Sequence, residues 1–245
     1  MARALRVSGP GAIHHIISRC NNEEFLFFGD SNFHKYREIV RKHKKELGFR
    51  LFHYAFMHNH THLQIEMGNK NSISEIMQHI NGEFASWYNA ANGRKGHFWQ
   101  TRFKSTLIED EEYFLRCGIY IELNPVRAGL VNYPQQWGYS SVRAYTGGEN
   151  NGLVDISPVY LSLGANDKKR VQEYRRLLFE EQERAKTIGA ALSVTDREQI
   201  RQILRRDGRE PIPFKRKITK LFGYSVSKIK AQRSIPKAPD PFGNG

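Results

Sequence analysis

Apolar residues recur along this chain with two periods, and the alternation between them outlines a fold. Residues 12–19 (AIHHIISR) are rich in β-branched side chains and predict a first strand. Phe33, Tyr36, Ile39 and Val40 then recur at helical spacing, which predicts a helix over 32–47 with Asp30 and Ser31 as candidate caps and Gly48 as its stop. Phe49 to Met57 and His60 to Met67 predict two further strands, separated by a short break at His58-Asn59. Ser72 opens a second helix to about Ala91, with Ile73, Ile76, Met77, Ile80, Phe84 and Trp87 on one face. NGRKGH reads as a turn, and Phe98 to Ile108 as extended. EDEEYFLRCGIYIEL reads as a third helix with acidic residues at its N-terminus, closed or kinked by Asn124-Pro125.

This order predicts an α+β fold, a ferredoxin-like β-α-β-β-α-β sheet with one additional helix. Beyond Trp137 the character changes. Residues 150–165 read as loop around a short ordered ISPVYLSL, followed by a charged amphipathic helix from Lys168 to Ala185. Thr195-x-x-Glu198 resembles a capping box for a helix to Leu204, and another helix follows Pro213. Gly223 and SVSKIKAQR complete a loose helix-turn-helix outline. The expected division is a core of residues 1–147, a mostly helical basic region of 148–237, and a Pro/Gly-rich, disordered tail of 238–245.

Charge sharpens this division. The net formal charge is +13, but residues 1–200 hold 26 Lys/Arg against 22 Asp/Glu. Residues 201–237 hold 12 Lys/Arg against only Asp207 and Glu210. Such a basic segment points to a polyanion, nucleic acid foremost, although a merely solubilising tail has the same composition. Arg216, Lys217, Lys220, Lys228 and Lys230 are its candidate DNA contacts. No apolar run approaches the ~20 residues of a membrane span, and the N-terminus lacks the features of a signal peptide. Cys20 and Cys117 form no CxxC, which excludes a cysteine-built zinc site and suits free thiols in a reducing cytoplasm.

The candidate chemistry lies in HYAFMHNHTHLQIEM. His60 and His62, two apart in a strand, point to one face and can converge on a cation, and His58 belongs to the same alternation. Satisfied strand histidines explain the pair as well, and that is how His14, His15, His34, His43, His53, His79 and His97 are read. Tyr120 and Asn124 share a helical face in YIELNPVRAGLV. A tyrosine of pKa near ~10 needs a nearby cation or base to attack at neutral pH. The alternatives stay open: Tyr120 packs, and Asn124 caps its helix.

The motifs MHNHTHL, GHFWQTRFKS, YIELNPVRAGLV and WGYSS, in this order, together with the opening ARALRVSGPGAIHHIISRCNN, resemble the REP-associated tyrosine transposases. These belong with the HUH (His-hydrophobic-His) single-strand DNA nucleases and are related to the single-strand insertion-sequence transposases. The resemblance covers about residues 1–147. It implies the HUH endonuclease fold, with the additional helix carrying the nucleophile. It implies a metal-dependent single-strand DNA endonuclease and strand transferase that acts on REP-type hairpins. His60, His62 and, as third ligand, Asn124 would bind Mg2+ or Mn2+. Tyr120 would form a 5′-phosphotyrosine bond and release a 3′-OH. Arg19, Arg102, Lys104 and Arg127 lie beside the motifs as phosphate contacts. Trp99 and Phe98 are candidates for stacking on bases, with core packing as the alternative for Trp99. A monomer with its site in cis, associated with the cytoplasmic nucleoid, is expected.

Two residues depart from the family pattern. Thr61 stands where an apolar residue is usual, and His58 where proline is common; His58 is an accessory ligand, a phosphate contact or a turn residue. A catalytically silent hairpin-binding protein or repressor is the alternative function, but it has no need of His60, His62 and Tyr120 together. A zinc hydrolase leaves Tyr120 and the basic segment unexplained.

Overall fold

The structure is a computed structural model; it describes residues 9–21, 26–27 and 29–191, with side chains to residue 185. The expected helices after Thr195, the helix-turn-helix outline and the tail therefore lie outside the described residues. The chain falls into two compact units, Met1–Tyr174 and Arg175–Gly245. In the first, the elements follow as β1 (Ile13–Arg19), α1 (Asp30–Leu47), β2 (Arg50–Phe56), β3 (His60–Glu66), α2 (Ile73–Ala91), β4 (Lys104–Ile108) and α3 (Glu111–Arg127). Two single-turn helices, α4 (Val142–Tyr145) and α5 (Pro158–Leu161), precede a long α6 (Asp167–Ala191).

The sheet is antiparallel in the order β2-β3-β1-β4, the ferredoxin-like arrangement expected from the pattern. On one face, aromatic side chains of α1 (Phe33, Tyr36), of α2 (Phe84) and of the segments before α1 (Phe27) and β4 (Phe98) pack ring against ring. On the other face lies α3, whose Phe114, Cys117 and Ile121 meet Phe52 and Ala55 of β2 and Ile108 of β4. Residues 139–141 bond along the outer edge of β2, through Phe56 N–H to Tyr139 O and Ser141 N–H to Tyr54 O, so that edge is covered. Trp137 of the WGYSS motif ties in through its indole N–H to Phe56 O at 3.0 Å.

The helix ends follow local chemistry. Ser72 and Glu75 form a full capping box on α2, and the Asp110 side chain caps α3. Gly48 ends α1 in the left-handed region, φ 68°. Neither Asp30 nor Ser31 caps α1; the cap is Gly29, and Asp30 sits in the first turn.

Pro125 does not end α3. The helix runs through it to Arg127. Proline cannot donate to the Ile121 carbonyl, and the Asn124 amide takes over, donating to Tyr120 O at 2.8 Å and to Ile121 O at 3.4 Å. The extended stretch expected from Phe98 shortens to β4. Phe98 is buried, and Trp99 meets β1 only as an isolated bridge to Cys20. No helix among the described residues is long and apolar enough to cross a membrane.

Candidate active site

The register of β1 on β3 sets His60 opposite Arg19, Thr61 opposite Ser18, His62 opposite Ile17 and Gln64 opposite His15. His60 and His62 therefore share the face covered by α3, and Thr61 points the other way. The two imidazole centroids are 4.9 Å apart. Each ring is held by its Nδ1. His60 Nδ1 lies 2.7 Å from Asn59 Oδ1, an acceptor, so His60 donates there and keeps its Nε2 lone pair. His62 Nδ1 lies 2.9 Å from His15 Nε2. When His62 is the donor, its Nε2 lone pair is likewise available.

Burial, reinforced by the Arg19 charge, pushes the His60 pKa down to about 3. His62 is lowered well below the ordinary histidine range by burial first, then by His60, His15 and Arg19. Both rings are thus neutral at physiological pH, the form that binds metals.

Tyr120 projects from α3 onto these rings. Its centroid is 6.0 Å from that of His62 and 6.1 Å from that of His15, edge-on to both. The Arg127 guanidinium carbon sits 5.0 Å from the centre of the Tyr120 ring. Burial raises the phenol pKa, Arg127 and Arg19 oppose the rise, and Cys117 adds to it. The site therefore joins two neutral imidazoles, a phenol and two guanidinium groups.

The donor set suits a hard divalent cation that keeps oxygen ligands, since two imidazole nitrogens are preset and the rest of the shell is left to solvent or phosphate. Among the described residues no group of three His, Cys, Asp or Glu could hold a metal by itself. Asn124 has its amide nitrogen committed to the carbonyls of its own helix, so only its oxygen is left to act as a ligand.

The other expected residues fall in three groups. Arg19, Lys104 and Arg127 surround the histidines and are exposed; Lys104 lies opposite Ile17, in the cross-strand row of His62. Arg102 is exposed just before β4. Trp99 is half-buried against Phe27, Tyr36 and Phe84, with its indole N–H donated to Asn81 O at 2.9 Å. Phe98 is 1% exposed, which removes it as a stacking platform. Arg216, Lys217, Lys220, Lys228 and Lys230 lie outside the described residues.

His58 is not in line with the pair. It precedes β3, and its Nδ1 donates to Phe27 O at 2.9 Å while its ring packs edge-on against Phe33 and Trp137. The turn interrupts the strand alternation that would have placed it beside His60.

Two residues of the site were not expected from the sequence. His15 and Asn59 orient the histidine pair. The adjacent His14-His15 gave a weak signal, but only the β1–β3 register shows which of the two meets His62.

A model described as "Transposase IS200 like" matches residues 10–124, a span that contains His60, His62, Tyr120 and Asn124. Over residues 10–124 the chain is therefore similar to the IS200-like transposases.

The fold has a solved counterpart. A solved structure of a REP-associated tyrosine transposase bound to a REP hairpin matches with a TM-score of 0.52 at 21% identity, covering 65% of this chain and 90% of that one. A protein described as a transposase from Deinococcus radiodurans matches at 14% identity with a TM-score of 0.35, covering 56% of this chain and 96% of its own. No curated protein matches the chain.

Proposed function

We propose that this protein is a REP-associated tyrosine transposase, a single-strand DNA endonuclease and strand transferase that acts on hairpin-bearing DNA with Tyr120 as nucleophile. The observation that carries the proposal is the convergence of His60, His62 and Tyr120, with the Tyr120 and His62 rings 6.0 Å apart on the face under α3. A REP hairpin is bound by the solved transposase of the same fold, which supports a hairpin as substrate.

In the proposed reaction the Tyr120 hydroxyl loses its proton and attacks phosphorus. The bond from phosphorus to the 3′-oxygen breaks, a 5′-phosphotyrosine forms, and the 3′-oxygen leaves as a hydroxyl after taking a proton from solvent. His60 and His62, through Nε2, with the Asn124 oxygen as third candidate, would hold Mg2+ or Mn2+, which would polarise the scissile phosphate as a Lewis acid. Arg127 favours the phenolate, and Arg19 and Lys104 offer positive charge to the DNA backbone on either side. The covalent bond keeps the strand end for reversal or transfer. Tyr120 lies over the histidines of its own chain, as a site acting in cis requires, and the basic segment 201–237 is a further DNA contact.

The test is a denaturing gel of the protein with an end-labelled single-stranded hairpin in Mn2+ or Mg2+. A slow-migrating protein–DNA adduct is expected for the parent and none for Tyr120→Phe. An adduct of unchanged yield with Tyr120→Phe removes Tyr120 as nucleophile. Hairpin binding without any adduct in the parent favours the silent binding protein instead.

A further inference from the structure

Glu122, two residues beyond Tyr120, is fully buried. Three donors converge on its carboxylate. His53 Nδ1 lies 2.9 Å from Oε1, Ser141 Oγ donates to Oε1 at 2.6 Å, and the Tyr174 hydroxyl donates to Oε2 at 2.8 Å. Burial and the Glu122 charge hold the Tyr174 pKa well above the ordinary tyrosine range, so Tyr174 remains a donor. The His53 ring is wedged in place. It stacks on Tyr145 with centroids 4.4 Å apart and planes 19° off parallel. Its other side lies against the backbone of α3 at Gly118, where an added Cβ would come 2.5 Å from Nε2.

A buried carboxylate is tolerated only where its donors are in place, and these donors come from separate parts of the chain: β2, the turn before α4, and the start of α6. Successive helix residues project about 100° apart. Ile121 enters the core beneath α3, so Tyr120 and Glu122 flank it on opposite sides. Tyr120 lies over His15 and His62; Glu122 is bound to β2 and to residues 141 and 174. A side chain ends about 5–6 Å from the helix axis, so a roll of ~10° moves it by roughly 1 Å.

We infer that Glu122 is a positioning residue: with His53, Ser141 and Tyr174 it fixes the roll of α3 and thereby the place of the Tyr120 hydroxyl against His60 and His62. The inference rests on Tyr120 being the nucleophile. It gives the segment from Ser141 to Tyr174, which lies beyond the 10–124 match, a part in the active site.

The test compares the full-length parent, Glu122→Gln, and Val40→Ala, a destabilised control whose side chain is buried on α1. Each carries 3-fluorotyrosine at position 120 for fluorine NMR without DNA; unlabelled proteins are assayed for hairpin affinity and for single-turnover adduct formation at saturating hairpin. For Glu122→Gln the expected result is a split or broadened fluorine resonance, an adduct rate lower by roughly 10–100-fold, and an affinity within about twofold of the parent. Val40→Ala is expected to keep one sharp resonance and the parent's rate. A single unchanged resonance with an unchanged rate in Glu122→Gln overturns the inference. So does an equal loss of rate in Val40→Ala at matched thermal stability. If Glu122→Gln does not fold, Tyr174→Phe, which removes one donor and keeps the ring, is judged by the same criteria. A parent without any Tyr120 adduct refutes the nucleophile assignment, while the fluorine spectra still judge the roll of α3.

Discussion

Three consecutive residues of β3 serve two different environments. On the α1–α2 face, Thr61 enters a closed polar network inside an aromatic core. The Tyr36 hydroxyl lies 3.3 Å from Thr61 Oγ1 and donates to Asn81 Oδ1 at 3.3 Å, and Asn81 donates to Ser18 Oγ at 2.9 Å. On the α3 face, His60 and His62 are each held by one nitrogen, beside a phenol and two arginines. The Thr61 network pairs its hydroxyls and amide with one another. On the second face each imidazole keeps one nitrogen outside its Nδ1 bond, and burial keeps both rings neutral. The unusual threonine of the motif is therefore a packing matter. Its hydroxyl finds partners on the far side of the sheet and leaves the histidine pair untouched.

Breaking the α3 face should cost function far more than stability. His62→Ala removes a preset nitrogen and is expected to lower adduct formation by at least about a hundredfold, with hairpin binding retained in a filter assay. His15→Leu removes only the group that orients His62. A loss of roughly 10–100-fold is expected, together with weaker Mn2+ affinity read by calorimetry. An unchanged Mn2+ affinity would contradict the orienting role.

The titration behaviour of the same face gives the next effects. Burial raises the Tyr120 pKa, so the phenolate, the attacking form in the proposed reaction, is scarce at neutral pH and grows as pH rises. Adduct formation should climb by up to about tenfold per unit between pH 7 and 9. Arg127→Gln removes the charge that lowers this pKa, so its profile should shift to higher pH with a smaller rate at pH 7.5. The histidines act on stability in the opposite part of the range. Their folded pKa values lie below the unfolded value, so the unfolded chain binds more protons as pH falls from about 6.5. Stability is complete above that pH and declines toward the folded value of about 3 for His60. In a series of thermal melts, His60→Gln should remove about one proton from that acid dependence.

The smallest effect is expected on the opposite face. Thr61→Val keeps the shape and removes one partner of Tyr36, which retains Asn81. A loss of about 1 kcal/mol in denaturant melts is expected, with the adduct rate unchanged. A loss of rate comparable to that of His62→Ala would erase the distinction between the two faces.

Much of this was legible in the residues. The order of strands and helices, the capping by Ser72 and the Gly48 stop follow from periodicity and cap chemistry, which are local. His60, His62 and Tyr120 stood out because strand and helix periods fix a side chain's face from sequence spacing. What escaped depends on pairing between distant segments. His15 meets His62 only through the β1–β3 register, and Glu122 gains its donors from residues 53, 141 and 174. His58 was misplaced by carrying strand alternation across a turn. Pro125 was read as closing or kinking its helix; it does not close it, because its neighbour's side chain, which reaches the Ile121 carbonyl, has no signature in propensity.

The central claim is that the phenol lying over the histidine pair becomes the covalent attachment point of DNA. The most direct measurement is peptide mass mapping of the protein after incubation with a single-stranded hairpin and Mn2+. The expected result is a nucleotide-bearing peptide whose modification maps to Tyr120, in the parent and not in His62→Ala. A nucleotide adduct on any other residue, or an adduct on Tyr120 that forms equally well without His62, would contradict it.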